Sequence, residues 1–330
     1  MDTQQQVAVP LDELQHTNPD GTPRTNADGT PWIAPGEPII SLRGVTKSFG
    51  SHTVLEDITF DVPKGRITAI LGPSGTGKSV LLKNILGLLR PERGEIWVDG
   101  DQIVGLREKR LYEVRKKFGV LFQDGALFGS MNLYDNIAFP LREHTRKNEA
   151  EIRELVYRNA ELVGLMDHLK KLPGEVSGGM KKRAGLARAM VTEPEIVLFD
   201  EPDSGLDPVR VAYLDELVVT AQKETGATFF IITHNIQSVM RTADYMGILF
   251  RSNLVKFSSK ADMVATDNPI IQQFLAGAPE GPIGMDEMAD AGGDTSQFIE
   301  GDTAALQFGP LPRPGEVARE VHPPSDQPDT

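Results

Sequence analysis

The chain has 330 residues, 39% of them apolar and 25% charged, with no cysteine and a formal net charge of −13. Those figures exclude a disulfide framework and any cysteine-ligated metal, and the acidic balance speaks against a nucleic-acid partner. No run of about 18 apolar residues occurs, so no membrane span is expected, and the polar, acidic start carries no secretory signal. The charge is unevenly placed: residues 1–38 hold six acids and one base, residues 277–330 eleven acids and two bases, and residues 39–276 balance 30 acids with 31 bases. Both ends are also rich in proline and read as largely unstructured extensions, which leaves one sizeable core for the middle.

Residues 39–66, together with 94–104, read as an N-terminal antiparallel β portion. The segment "ITAILGPSGTGKSVLLKNILGLL" follows at 67–89. Its first five residues form a short apolar run that suits a buried strand, and an apolar helix closes it. Between them stands a GxxxxGK(S/T) loop made of Gly72, Pro73, Ser74, Gly75, Thr76, Gly77, Lys78 and Ser79. Strand, loop and helix are the context that a phosphate-binding loop requires. Backbone N–H groups of such a loop wrap phosphates, Lys78 reaches the β and γ oxygens, and Ser79 ligates Mg²⁺. Nucleotide binding, with ATP and Mg²⁺ as the cofactors, is the expectation.

"VLFQDGALF" at 120–128 reads as a strand that ends at Gln123, an amide able to reach Mg²⁺ and a water. A helical subdomain is expected over about 130–190. Near its end comes "EVSGGMKKRAGLARAM", residues 175–190. Ser177 is a good N-cap, and Gly178 and Gly179 leave the N–H groups of the first turn unobstructed. With the helix dipole behind them those groups suit an anion; an ordinary capped surface helix reads equally well from this stretch alone. "PEIVLFDEPDSGLDP", 194–208, is a second buried strand ending in Asp200 and Glu201. Asp200 suits Mg²⁺ through a water, and Glu201 suits the orientation of an attacking water. "TFFIITHNI", 228–236, is a third such strand, and it brings His234 to the same end of the sheet, within reach of a γ-phosphate.

These motifs, in this order, resemble the ATP-binding cassettes of ABC-type ATPases, over about residues 39–276. The resemblance implies an α/β P-loop fold with a mostly parallel core sheet, an N-terminal antiparallel portion and a helical subdomain that carries the Ser-Gly-Gly signature. It implies a head-to-tail homodimer in which Ser177, Gly178 and Gly179 of one subunit cover the nucleotide on the P-loop of the other. Asp207, in "SGLD", belongs to the same nucleotide site, and Phe49 stands where the family stacks an aromatic on adenine. Met180, where glutamine is common, resembles the cassettes that serve MCE-domain lipid transporters, and the wider run is similar to the actinobacterial Mce-associated ATPases. That implies a transport ATPase for lipid or sterol, working with integral-membrane permease subunits and MCE-domain substrate-binding proteins, peripheral on the cytoplasmic face of the plasma membrane. Composition and spacing by themselves say nothing of lipid.

Two other readings are weaker. A soluble ABC ATPase acting on the ribosome or nucleic acid would carry two cassettes or a long coiled coil, but one P-loop is present and no sustained heptads separate it from the signature. A small-molecule kinase would leave Ser177–Gly179 and His234 without a role. The C-terminal extension contains apolar clusters at Ile283, Met285 and Met288, at Phe298 and Ile299, and at Leu306, Phe308 and Leu311. They are expected to dock on the partner ATPase.

Overall fold

A computed structural model describes residues 38–280 of the chain. The expectations for residues 1–37 and for the apolar clusters beyond 280 lie outside the described residues. In chain order the strands are β1 (Pro38–Phe49), β2 (His52–Pro63), β3 (Ile67–Leu71), β4 (Arg93–Val98), β5 (Asp101–Gln102), β6 (Phe118–Leu121), β7 (Ile196–Asp200), β8 (Thr228–Thr233), β9 (Tyr245–Phe250) and β10 (Asn253–Ser259). The helices are α1 (Lys78–Ile85), α2 (Glu108–Arg115), α3 (Leu133–His144), α4 (Glu149–Leu162), α5 (Gly178–Met190), α6 (Pro208–Thr225), α7 (Ile236–Thr242), α8 (Lys260–Val264) and α9 (Pro269–Ala276).

Two sheets result. The first is antiparallel, in the order β2-β1-β4-β5. The second runs β10-β9-β3-β8-β7-β6; its strands from β9 to β6 are parallel, and β10 adds an antiparallel edge. Continuous apolar runs such as "ITAIL" and "TFFIIT" are buried at every residue, as a parallel sheet covered on both faces requires. Alternation then divides their side chains. Phe229 and Ile231 of β8, with Val197 and Phe199 of β7, join the core that includes the helices α3, α4 and α5. Phe230 and Ile232, with Ile196 and Leu198, join the core shared with the antiparallel sheet. Phe60 of β2 stacks on Phe230 across the two sheets, with ring centroids 6.2 Å apart.

Three boundaries differ from expectation. Pro38 already belongs to β1, opposite Pro63. Strand β6 stops at Leu121, two residues before Gln123, because the turn 122–125 closes there through Gly125 N–H donating to Phe122 O. The β9–β10 hairpin and helices α8 and α9 complete the core beyond the third expected strand. The strand order has a direct consequence for chemistry. β3, β8 and β7 are parallel neighbours, so the residues just after them emerge side by side at one end of the sheet, where open α/β sheets hold ligands.

Candidate nucleotide site

Gly72 to Ser79 follow β3, and the loop turns directly into α1. Gly77 has φ +95 and sits against the antiparallel sheet: a Cβ there would stand 2.7 Å from Val54 Cγ1 and 2.9 Å from Val54 O. Only glycine fits both the left-handed backbone and that gap. Lys78 is buried, and its ammonium donates to Gly72 O at 2.9 Å and Pro73 O at 2.8 Å. It lies 3.7 Å from Glu201 Oε1. Burial lowers the Lys78 pKa, and the nearby carboxylates Glu201, Asp200 and Asp203 oppose that shift. A buried cation held on the carbonyls of this loop suits a polyphosphate.

Ser79 Oγ donates to Asp200 Oδ1 at 3.1 Å, which joins the loop after β3 to the end of β7. Burial raises the Asp200 pKa, Ser79 pulls it back down and Glu201 adds to the rise. A hydroxyl and a carboxylate side by side are hard oxygen donors of the kind Mg²⁺ takes together with phosphate oxygens. Among the described residues no group of three or more His, Cys, Asp or Glu is placed to hold a metal ion by itself. Glu201 follows β7 with φ +46, unusual for a non-glycine residue, and its N–H still donates to Ile232 O at 2.9 Å. Backbone strain of this kind concentrates at functional positions. Its carboxylate oxygen stands 3.4 Å from His234 Nδ1, while its side chain is largely buried. Lys78, Glu201 and His234 therefore form one contiguous cluster.

Other expected site residues lie apart from it. Gln123 is exposed, and among the described residues no hydrogen bond joins it to the cluster. Phe49, at the end of β1, packs against the core shared by the two sheets, with Lys47 Nζ 4.9 Å from its ring centroid. Asp207 is the N-cap of α6 and accepts from Val209 N–H and Arg210 N–H. Ser177 caps α5, accepting from Met180 N–H at 3.3 Å. A Cβ on Gly178 would meet nothing within 4 Å, and one on Gly179 would make only ordinary contacts with Leu206 and Arg210. Neither glycine is needed by the fold of its own chain.

Sequence reasoning missed the buried polar residues behind the cluster. Lys182 of α5 donates to Pro202 O, Ser204 O and Ser204 Oγ. Asp203, also buried, accepts from Thr233 Oγ1 at 2.8 Å. Arg188 of α5 donates to Gly125 O and Ala126 O, both at 2.8 Å. One signal was available: Lys182 lies one turn before Leu186, on the face of α5 that is buried.

A family model described as ABC transporter matches residues 55–204. The chain is 57% identical over 251 residues to the probable ribonucleotide transport ATP-binding protein mkl of Mycobacterium leprae, covering 76% of this chain and 72% of that protein. It is 40% identical over 245 residues to MlaF of Escherichia coli K12, the ATP-binding protein of an intermembrane phospholipid transport system, covering 74% and 91% of the two chains. Among solved structures, cbiO1 from Clostridium perfringens, part of the ABC transporter complex cbiONQ, superposes with TM-score 0.65 at 29% identity over 73% of this chain and 96% of that one. The cassette MJ0796, solved as a dimer bound to ADP and Pi, gives TM-score 0.62 at 26% identity over 67% and 98%. Among the described residues no helix is long and apolar enough to cross a membrane. The cassette fold, the site at the ends of β3, β7 and β8, and relatives of this identity together show that the chain belongs to the ATP-binding proteins of ABC transporters, the ATPase subunits whose hydrolysis is coupled to transport.

Proposed function

We propose that the chain hydrolyses Mg²⁺-ATP as a head-to-tail homodimer and energises a lipid transporter of the Mce type from the cytoplasmic face of the membrane. The cluster around Glu201 carries the catalytic part of this reading. Gly72 to Ser79 hold the phosphates, Ser79 and Asp200 hold Mg²⁺ with Gln123, and Glu201 orients the attacking water. His234, 3.4 Å from Glu201, reaches toward the γ-phosphate. Mg²⁺ supplies charge neutralisation at the phosphates. The side chains of the chain do the positioning: Lys78 places the phosphate tail, and Glu201 accepts a hydrogen bond from the water on the side away from the scissile bond.

The trans role of Ser177, Gly178 and Gly179 is supported by their position. Ser177 and Gly178 are exposed at the start of α5, and the first-turn N–H groups of a helix suit an anion such as the nucleotide of a second copy. Permease subunits and MCE-domain proteins complete the assembly, and residues 277–330 help to hold the pair together. The lipid cargo is supported by 40% identity to a phospholipid-system ATPase across 91% of its length. A second reading, ribonucleotide transport, takes its support from the name of the mkl relative.

Glu201→Gln tests the catalytic core. It should keep ATP binding and lose turnover by roughly 10²-fold or more; near-normal turnover would remove Glu201 from the role. Mass spectrometry of the complex purified from detergent-solubilised membranes separates the cargo readings: co-purifying MCE subunits and lipid support the first, and bound ribonucleotide without either supports the second.

A further inference from the structure

Lys182 is 5% exposed and lies in α5, less than one turn beyond Gly179 of the signature and on the helix that Ser177 caps. All three donors of its ammonium have acceptors on one short turn: Pro202 O at 2.8 Å, Ser204 O at 2.5 Å and Ser204 Oγ at 3.2 Å. That turn begins immediately after Glu201, and Ser204 N–H donates back to Glu201 O at 3.2 Å. The other side of the turn is held as well. Asp203, 5% exposed, accepts from Thr233 Oγ1, and the same hydroxyl accepts from Asn235 N–H at 3.0 Å. The turn is thus pinned between the signature helix and the strand end that carries His234.

A surface lysine would gain nothing from this geometry. Burying an ammonium is costly unless every donor is satisfied, and here two carbonyls and a hydroxyl converge on it, while among the described residues no carboxylate forms an ion pair with it. The site is therefore built around a cation whose partners all belong to the segment next to Glu201. We propose that Lys182 is a positioning residue for hydrolysis: it fixes turn 202–204, and through that turn Glu201, to the helix whose N-terminus carries Ser177, Gly178 and Gly179. Any shift of α5 when its N-terminus meets nucleotide on a second copy is carried by this ammonium to the carboxylate of the same chain. Among the described residues the Lys182 ammonium makes no hydrogen bond to the P-loop and reaches Glu201 only through turn 202–204, so the linkage is expected to act on turnover more than on nucleotide affinity.

This rests on the reading of Glu201 as the water-orienting carboxylate. The test is a double-mutant cycle on the full chain, with single-turnover Mg²⁺-ATP hydrolysis and ATP affinity measured separately. Lys182→Met should lower the hydrolysis rate by about 10-fold or more and leave the ATP dissociation constant within about 3-fold, and in a Glu201→Gln background it should lower the residual rate by no more than about 2-fold. Lys182→Gln, which keeps two N–H donors, should recover most of the rate. If Lys182→Met does not fold, Thr233→Val loosens the same turn from its other anchor and should show the same non-additivity. Equal losses in both backgrounds, or a loss of affinity matching the loss of rate, would overturn the proposal while leaving Glu201 in place. A Glu201→Gln chain with near-normal turnover would instead remove the reading beneath it.

Discussion

Ser79 Oγ and Asp200 Oδ1 are 3.1 Å apart although 121 positions separate them in the chain. The contact arises because β8 lies between β3 and β7 in a parallel sheet, so the loops after the two outer strands meet over the end of the middle one. The strand order thus brings a P-loop hydroxyl to a half-buried carboxylate.

Asp200 is also placed where its charge is costly. Burial raises its carboxyl above the ordinary value of 3.8. A raised folded-state pKa means that the stability linked to this group is full below the unfolded value and is lost as pH rises through the folded one. Asp200→Asn removes that loss and keeps an acceptor for Ser79. In metal-free buffer the variant should melt above the wild type near neutral pH, the gap should close toward pH 4, and ATPase activity should fall by roughly 10²-fold or more for want of the carboxylate. Thermal melts across pH check it; a variant that melts lower at every pH would contradict the burial argument.

Gly178 offers a sharper separation of stability from function. With open space around the position and no left-handed φ, Gly178→Ala should stabilise the isolated chain by about 0.4–1 kcal/mol through the unfolded state. The same methyl group should abolish the paired, ATP-bound form if a second copy delivers its nucleotide there. Chemical denaturation and ATPase assays on one preparation read both. A stabilised variant with wild-type turnover would show that no ligand approaches this helix end.

Phe49 has a core contact and a cation above it, so its removal has two possible costs. Stacking on a base is typically worth about 1–3 kcal/mol, which is about 5- to 150-fold in affinity. Phe49→Ala should weaken ATP to that extent and leave inhibition by inorganic tripolyphosphate unchanged. Equal weakening of both ligands, with a matching fall in melting temperature, would assign the ring to packing alone.

Much of this site was legible in the sequence for one physical reason. Parallel strands buried on both faces are short apolar runs, so the residue that breaks each run is marked, as Gly72, Asp200 and His234 are. The order in which those strands pair is written nowhere in their composition. Tertiary packing supplies it, and with it the contact of Ser79 with Asp200. Lys182 stayed hidden because "MKKRAG" looks like a solvated helix start, and its partners are backbone carbonyls, which leave no trace in residue type. Asp207 is expected at the nucleotide of a second copy; within its own chain its Oδ1 caps α6 and its Oδ2 pairs with Arg210, and the side chain stays half exposed. For Gly178 and Gly179 the converse holds: the motif was plain, and no packing contact in the same chain requires a glycine at either position, while Ser177 serves as the cap of α5.

The composite site itself can be counted. Chains with Ser177→Arg and chains with Lys78→Ala, each also carrying Glu201→Gln to trap nucleotide, are given different tags, mixed, and the doubly tagged pairs isolated with Mg²⁺-ATP. In a head-to-tail pair both lesions fall in the same site, which leaves the other whole. The pair should trap about one ATP, while neither parent alone traps ATP in a pair and the isolated Ser177→Arg chain binds nucleotide at its own P-loop as the unsubstituted chain does. A mixed pair that retains no ATP, together with weakened nucleotide binding by the isolated Ser177→Arg chain, would place the signature in the site of its own subunit and contradict the account.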